Sequence, residues 1–523
     1  MNQGLLRAGS AVASAALLTA VVSFVKEVSV ARLFGAGVTY DAYLVAFAAV
    51  TLLPTAIAFV LQSTFIPSFL ESRQRNPSEA WAFAGTVISF LTVVLLAGML
   101  ILVLSEDAWF SVVIPGFGGP ARREVSRVVL LLLPLVWLVG LNELLKSLLN
   151  ALRSFALPAA SQVLPSLFAL VGILIWGRSL GIVALAVGWV FGMVVQTSVL
   201  LWRCRLLHVR LPLGFRSAPR DLSNLVGLSA PYLAVALMPW ALLLIDQHFA
   251  SQIGAGSISV LNYADRIFRV PLTVLIAALY TSVHPFFAEA AAQRRYDDFG
   301  ALFRNMIRAG VFVLLPIGLA ILVLRHPIVA FVYQRGAFDA QATKATASVL
   351  AYLAFLVPAL GLWYVCDRAL TCLHRTKQLM VLAAFATALK FGASLVLVGR
   401  LGLPGLPLAT LITFGASVGV MMGFLRSDLG DRVRVSTWVM SRIALAALVS
   451  SAGLWATWSG LSAMHLGPVA IQMSIAVLVG IGLYLLASRA LKLEESAAVR
   501  SAILTVVAVP LRMGRRAGRL PAS

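Results

Sequence analysis

Long runs of apolar residues alternate with short polar stretches along the chain. Each run spans about 20 residues or more, which is the length that a helix needs to cross a hydrocarbon layer roughly 30 Å thick. The pattern predicts fourteen membrane-spanning helices, over residues 11–34, 41–69, 80–104, 124–148, 156–177, 180–202, 224–251, 259–288, 306–324, 345–370, 378–399, 402–425, 436–461 and 468–488.

The composition agrees with a protein whose apolar side chains face lipid. Of 523 residues, 60% are hydrophobic and 12% are charged, and the mean hydropathy is +0.95. The predicted fold class is therefore an all-α integral membrane protein. Its three cysteines, Cys204, Cys366 and Cys372, form neither a disulfide framework nor a metal-ligand cluster, and we expect no metal and no cofactor.

The loops on one side of the predicted helices are more basic than those on the other side. The formal net charge is +21, and the basic side includes residues 73–75, 203–220 and 294–308. By the positive-inside rule both termini are predicted to be cytoplasmic, which requires an even number of crossings. We expect these basic residues to attract anionic membrane lipids and not to bind nucleic acid.

The two halves of the chain share a layout. "ARLFGAGVTYDAY" at 31–43 aligns with "ASQIGAGSISVLN" at 250–262, and "FIPSFLES" at 65–72 aligns with "VHPFFAEA" at 283–290. Such a repeat predicts two pseudo-symmetric six-helix lobes around a central cavity, plus two C-terminal helices. The predicted parts are an N-lobe at 1–222, a C-lobe at 223–434, a two-helix appendix at 435–491 and a basic cytoplasmic tail at 492–523.

Charged residues occur inside several predicted crossings, although a charge at the centre of a bilayer costs at least about 2.5 kcal/mol. At about 1.5 Å per helical residue, Lys26 lies roughly 12 Å and Arg266 roughly 10 Å from the outer ends of their helices. The two cations, one from each predicted lobe, therefore reach a similar depth. They are predicted to bind an anionic headgroup, since the fork of Arg266 matches phosphate oxygens.

Four other charged residues are assigned to the same predicted substrate site: Glu27, Asp41, Asp265 and Arg269. An alternative exists for two pairs of these groups. Lys26 and Glu27 could each find a partner within their own lobe, and Asp265 with Arg269 could form an ordinary i,i+4 ion pair.

Asp246 and Lys390 are a second pair of charges inside predicted crossings. Because carboxylate oxygens suit hard ions, Asp246 could bind a coupling cation or a proton. Lys390 could instead neutralise it as a fixed internal cation. Both interpretations stay open, and coupling to Na⁺, to H⁺ or to the membrane potential stays open with them.

Several stretches carry a resemblance to a known family. They are "VARLFGAGVTYDAYLVAF" at 30–47, "FIPSF" at 65–69, "LLIDQHFAS" at 243–251, "LNYADRIFRVP" at 261–271 and "YQRGAFDAQAT" at 333–343. With them the chain resembles the MurJ/MviN family of lipid II flippases, within the MOP exporter superfamily. The resemblance implies two lobes around a cationic cavity in a bacterial inner membrane protein that exports an undecaprenyl-pyrophosphate-linked saccharide to the outer leaflet.

The resemblance also implies cavity residues, at Lys26 and Glu27, where an Arg-Asp pair is usual, and at Asp41 and Arg266. The chain departs from the family at Ala20, where an arginine is usual, and in "AVTLLPTAIAF", which lacks an Asn-Leu-Leu-Arg-Arg run. These departures indicate altered substrate contact. Lipid II and another lipid-linked oligosaccharide, for an exopolysaccharide or an O-antigen, therefore both stay open as substrates.

Two other classes of protein make different predictions. A drug or cation antiporter on the same scaffold predicts an acidic, aromatic-lined cavity, whereas the matched charges here are cationic. A membrane glycosyltransferase or polymerase that uses the same lipid predicts a long extramembrane loop, whereas the longest predicted outer loop, about 105–123, is short and rich in glycine. We therefore expect a transporter and not an enzyme, acting as a monomer.

Overall fold

The structure is a computed structural model that describes residues 3–209, 212, 214, 219–280, 284–465 and 467–495. Nearly all of the predicted basic tail lies outside the described residues. Within them, all regular secondary structure is helical: α1 (Gln3–Phe34), α2 (Val38–Arg75), α3 (Pro77–Leu104), α4 (Glu106–Val113), α5 (Gly119–Leu132), α6 (Pro134–Ala151), α7 (Ala156–Ser161), α8 (Val163–Leu180), α9 (Ile182–Leu206), α10 (Pro219–Ile253), α11 (Ser257–Tyr280), α12 (His284–Ala292), α13 (Tyr296–Tyr333), α14 (Ala340–Cys372), α15 (Thr376–Leu401), α16 (Gly405–Leu429), a 3₁₀ turn (Gly430–Val433), α17 (Thr437–Ala463) and α18 (Val469–Ala490).

The predicted class of all-α membrane protein is confirmed, but the predicted count of crossings is not. Eleven helical segments in the described ranges are long and apolar enough to cross a membrane, and the pair α5 and α6, bent by 42°, makes up to twelve. The bend falls at Pro134, which has no N–H for the helical ladder. The sequence pattern also predicts crossings at α10 and α11, which are not among these segments. Helix α11 carries three charged residues, Asp265, Arg266 and Arg269, and they lower its hydropathy.

The helices fall into two units, each formed by separate parts of the chain. The first consists of Met1–Arg266, Val332–Val349 and Thr376–Ala409, and the second of the remaining residues. In the first unit α2 packs against α3, α5, α6 and α10, α8 packs against α1 and α9, and α10 packs against α15. In the second unit α17 packs against α18. The division into two six-helix lobes stays a prediction.

A hydrogen bond that a proline removes from a helix of the second unit is replaced by a side chain from another helix. Pro316 lies inside α13 and cannot donate the backbone hydrogen bond that the carbonyl of Phe312 would otherwise accept. The hydroxyl of Tyr484 on α18 donates to that carbonyl at 2.6 Å. Helix α18 therefore supplies the hydrogen bond that the proline removes.

Candidate functional site

Three charged side chains from α1 and α11 meet in the first unit. The ammonium of Lys26 lies 2.9 Å from Oε1 of Glu27, and Nε of Arg266 lies 3.5 Å from the same oxygen. Lys26 and Glu27 are buried, whereas 45% of the Arg266 side chain is exposed. This Lys26–Glu27–Arg266 cluster places one carboxylate between two cations. Of the three side chains, Arg266 is the one with substantial exposure.

Both carboxylate oxygens of Glu27 have partners. The hydroxyl of Tyr40 donates to Oε2 at 2.7 Å, and the amide of Asn262 donates to the Tyr40 hydroxyl at 3.2 Å. The ammonium of Lys26 also lies 4.8 Å from the centre of the Trp189 ring, which is within the range of a cation–π contact. Because a buried carboxylate is tolerated only when it is paired and hydrogen-bonded, these neighbours hold Glu27 in place.

Sequence reasoning missed Tyr40, Asn262 and Trp189. Asn262 precedes Arg266 by one helical turn and shares a face of α11 with it, and this spacing was a usable signal. Tyr40 and Trp189 gave no such signal, because most large aromatic side chains in apolar helices simply pack in the core.

The structure brings the two cations of matched depth, Lys26 and Arg266, to a common carboxylate. It also gives Lys26 the partner that the alternative interpretation assigned to it, because the ion pair with Glu27 lies within α1. Asp265 is half-buried and Arg269 is exposed on α11. Binding of substrate by any of these residues stays a prediction.

Asp41 contacts the beginning of α11. This side chain is buried and accepts hydrogen bonds from the backbone N–H of Gly256 at 2.6 Å, from the N–H of Ser259 at 2.7 Å, and from the hydroxyl of Ser259. The first N–H groups of a helix have no partner within the helix and carry a partial positive charge. Asp41 therefore caps α11 from α2, and a contact between Asp41 and substrate stays a prediction.

The turn at residues 35–37, near Asp41, packs against the turns at 254–256 and 335–337, and we call these three turns the three-turn junction. Gly35 has φ +59° and a Cβ there would lie 2.3 Å from the carbonyl oxygen of Ala337; Gly256 has φ +83° and a Cβ there would lie 2.5 Å from that of Ala36. Side chains are excluded by both conformation and space. The two Gly-Ala-Gly turns that the repeat aligned are thus in direct contact.

Asp246 of α10 and Lys390 of α15 form a second ion pair in the first unit. Nζ of Lys390 lies 2.7 Å from Oδ1 of Asp246 and donates to the backbone carbonyl of Leu406 at 2.8 Å. The Lys390 side chain is fully buried, and 28% of the Asp246 side chain is exposed. The structure therefore shows the ion pair by which Lys390 can neutralise Asp246. Coupling of transport to an ion stays a prediction.

Solved structures that are similar to this chain show which fold it has. A structure titled lipid II flippase MurJ, inward closed conformation, has a TM-score of 0.80 at 18% identity, over 94% of this chain and 99% of that one. An inward-facing multidrug resistance MATE family transporter of the MOP superfamily has a TM-score of 0.63 at 15% identity, over 80% of this chain and 96% of that one. The fold is that of a MOP superfamily transporter.

The sequence comparisons then identify the family. The model of the family described as "Lipid II flippase MurJ" matches residues 30–506, so the chain belongs to the MurJ family, and the predicted resemblance is confirmed. A probable lipid II flippase MurJ of Rickettsia prowazekii is 25% identical over 80% of this chain and 83% of its own length. Another from Thermotoga maritima is 24% identical over 91% of this chain and 94% of its own length.

Proposed function

We propose that this chain carries the peptidoglycan precursor lipid II, a polyprenyl-pyrophosphate-linked saccharide, from the cytoplasmic to the outer leaflet by alternating access. Membership of the MurJ family and the names of its relatives support this substrate. A flippase moves a lipid without changing its covalent bonds, so the chain is a transporter and not an enzyme. The observation that carries the proposal is the half-exposed side chain of Arg266, which shares the buried carboxylate of Glu27 with Lys26, so that two cations meet one anion.

The diphosphate is the part of the substrate that this cluster suits. The contact between Nε of Arg266 and Glu27 is long, at 3.5 Å, whereas charge-assisted hydrogen bonds to phosphate oxygens are about 2.7–2.9 Å. Phosphate oxygens therefore compete well for the guanidinium. Glu27 keeps Lys26 and Arg266 close together while the site is empty, which lowers the cost of gathering two cations before the substrate arrives.

Alternating access requires the three-turn junction to change. The sequence assigns this junction to the outer side of the membrane, and it joins turns that the internal repeat relates. Opening toward the outer leaflet would separate Asp41 from the first N–H groups of α11 and expose the backbone at Gly35 and Gly256 to water. The lipid tail stays in the bilayer, and the membrane potential supplies about 2.3 kcal/mol per charge per 100 mV.

The topology proposed here has fourteen crossings with both termini in the cytoplasm. It takes the eleven apolar segments, the bent pair α5 and α6 as one crossing, and α10 and α11 as two more. The 35 residues of α10 and the 24 residues of α11 are sufficient in length, since about 20 residues cross the hydrocarbon layer. Labelling of single cysteines placed at residues 178 and 376 from the outside tests this, with only residue 178 expected to react.

A second substrate of the same chemistry remains a candidate. Ala20 is exposed on α1 where an arginine is usual in the family, and this favours a different contact with the saccharide. The diphosphate cluster would serve any undecaprenyl-pyrophosphate glycan, such as a precursor of an exopolysaccharide or an O-antigen. The substrate is then distinguished by the sugar and not by the diphosphate.

The test uses the purified protein in lipid vesicles that contain either lipid II or another undecaprenyl-pyrophosphate glycan. Translocation is measured as the fraction of labelled substrate that becomes accessible to a reagent confined to one side. We expect transport of lipid II, and we expect Arg266→Glu to lower its rate by at least about 30-fold. The control is Arg178→Glu, an exposed arginine at the end of α8, which should keep the wild-type rate.

Wild-type transport by Arg266→Glu would refute the site. Transport of the other glycan without transport of lipid II would assign the second substrate.

A further inference from the structure

The ammonium of Lys390 joins three helices through oxygen atoms. Lys390 lies on α15 with no exposed surface, its Nζ is 2.7 Å from a carboxylate oxygen of Asp246 on α10, and it donates at 2.8 Å to the carbonyl of Leu406 in the first turn of α16. A buried ion costs several kcal/mol unless other charges and hydrogen bonds compensate it. Here the compensating groups include a carboxylate and a backbone carbonyl.

These oxygens are the ligands that hard metal cations prefer. A third oxygen is available on the same helix. Ser394 follows Lys390 by one helical turn, is fully buried, and its hydroxyl has no hydrogen-bond partner among the described residues. Since residues four apart share a helix face, this hydroxyl lies on the side of α15 that carries the ammonium.

We infer that Lys390 is a built-in substitute for a monovalent cation: its ammonium occupies the place beside the oxygens of Asp246 and Leu406 that an ion such as Na⁺ would otherwise take. The buried hydroxyl of Ser394, which does not bond to the ammonium, would be a further ligand for that ion. The ammonium supplies the positive charge that the carboxylate requires. Unlike a diffusible ion, it is bonded to α15 and does not leave.

The filled cation site has a consequence for the energy source of transport. This consequence rests on the proposed flippase function; the inference that the site is filled does not depend on that function. A gradient of cations does work only if the ion binds on one side and leaves on the other. A tethered ammonium cannot do so. The transport cycle of this chain therefore takes no energy from a cation gradient at Asp246.

The first experiment measures binding of radioactive Na⁺ to the full-length purified protein. The variants are Lys390→Ala and, as a matched control, Lys344→Ala, which removes an exposed lysine from α14. We expect wild type and Lys344→Ala to bind no Na⁺ above background. We expect Lys390→Ala to bind about one Na⁺ per chain through the freed oxygens, and its thermal transition to rise in NaCl relative to choline chloride. Adding Asp246→Asn to Lys390→Ala should abolish both effects.

Two outcomes would overturn the inference. Saturable binding of Na⁺ by the wild-type protein shows that the site is not filled by the lysine. A folded Lys390→Ala protein that ignores Na⁺ shows that the oxygens do not form a cation site. Should Lys390→Ala fail to fold, Lys390→Gln keeps most of the side-chain volume and serves as the second variant.

The second experiment separates this inference from the proposed function. Transport of lipid II by the wild-type protein is compared in vesicles with a Na⁺ gradient and in choline alone, and the two rates should agree. A rate that requires Na⁺ contradicts the inference while leaving the flippase function intact. A protein that transports in neither buffer contradicts the proposed function, and the binding experiment still decides whether the cation site is filled.

Discussion

Lys26 and Lys390 are both buried in the first unit against a carboxylate, but their surroundings differ. Lys26 lies 2.9 Å from Glu27, and the half-exposed Arg266 shares the same carboxylate, so these three side chains carry two positive charges and one negative charge. Lys390 lies 2.7 Å from Asp246, and here one ammonium balances one carboxylate. The first cluster therefore has a positive charge that can attract an anion, whereas the charges of Lys390 and Asp246 cancel each other.

The contrast between these two lysines shows that a charge inside a membrane protein does not by itself indicate a binding site. The local balance of charges and the exposure of at least one of them distinguish the two cases. By this criterion the proposed substrate contact is assigned to Arg266 and its neighbours, and Lys390 is assigned a structural role.

The largest effect on stability is expected from Lys390→Met. Removing the ammonium leaves Asp246 without its cation, so the free energy of unfolding should fall by about 3–5 kcal/mol in sodium-free buffer. Denaturant titration in detergent measures this, with Lys344→Met as the control. The double variant Lys390→Met/Asp246→Asn should recover much of the loss. A double variant that is no more stable than Lys390→Met would show that the charge is not the cause.

A smaller loss of stability is expected from Lys26→Met, because Glu27 keeps Arg266 and the hydroxyl of Tyr40. The free energy of unfolding should fall by about 1–2 kcal/mol. Transport of lipid II should fall by about tenfold or more, since a positive charge is lost beside the diphosphate. Parallel stability and vesicle assays measure both quantities. If Lys26→Met were as unstable as Lys390→Met and transported normally, the contrast between the two lysines would be wrong.

The smallest effect is expected from Tyr40→Phe, which removes the hydroxyl that donates to Glu27. The loss should be about 0.5–1.5 kcal/mol in the free energy of unfolding, with weaker binding of lipid II because the carboxylate is less firmly placed. Tyr43→Phe is a matched control, since the buried hydroxyl of Tyr43 has no hydrogen-bond partner among the described residues. Equal effects of the two substitutions would remove Tyr40 from the site.

The sequence was sufficient for the fold class and for the meeting of two distant residues. Long apolar runs permit few structures other than membrane helices, and counting residues from the helix ends placed Lys26 and Arg266 at one depth. The family could be identified for a similar reason, because its motifs lie in short contiguous stretches.

Other features could not be predicted because they depend on how helices face one another. The hydrogen bonds of Asp41 to the beginning of α11 join residues more than two hundred positions apart, and no pattern in the sequence indicates them. The predicted contact between Asp41 and substrate stays a prediction. In the sequence Tyr40 cannot be distinguished from an aromatic core residue, because its role depends on the contact with Glu27. The fourteen crossings stay unconfirmed; for α11 the reason is that its three charged residues count against a membrane span.

The hydrogen bond from Tyr484 to the carbonyl of Phe312 gives α18 a stabilising role in addition to crossing the membrane. It reinforces α13 at the point where Pro316 interrupts the backbone hydrogen bonds. A chain shortened before α17 would lose this hydrogen bond. The carbonyl of Phe312 would then face lipid, which offers no donor to replace the Tyr484 hydroxyl.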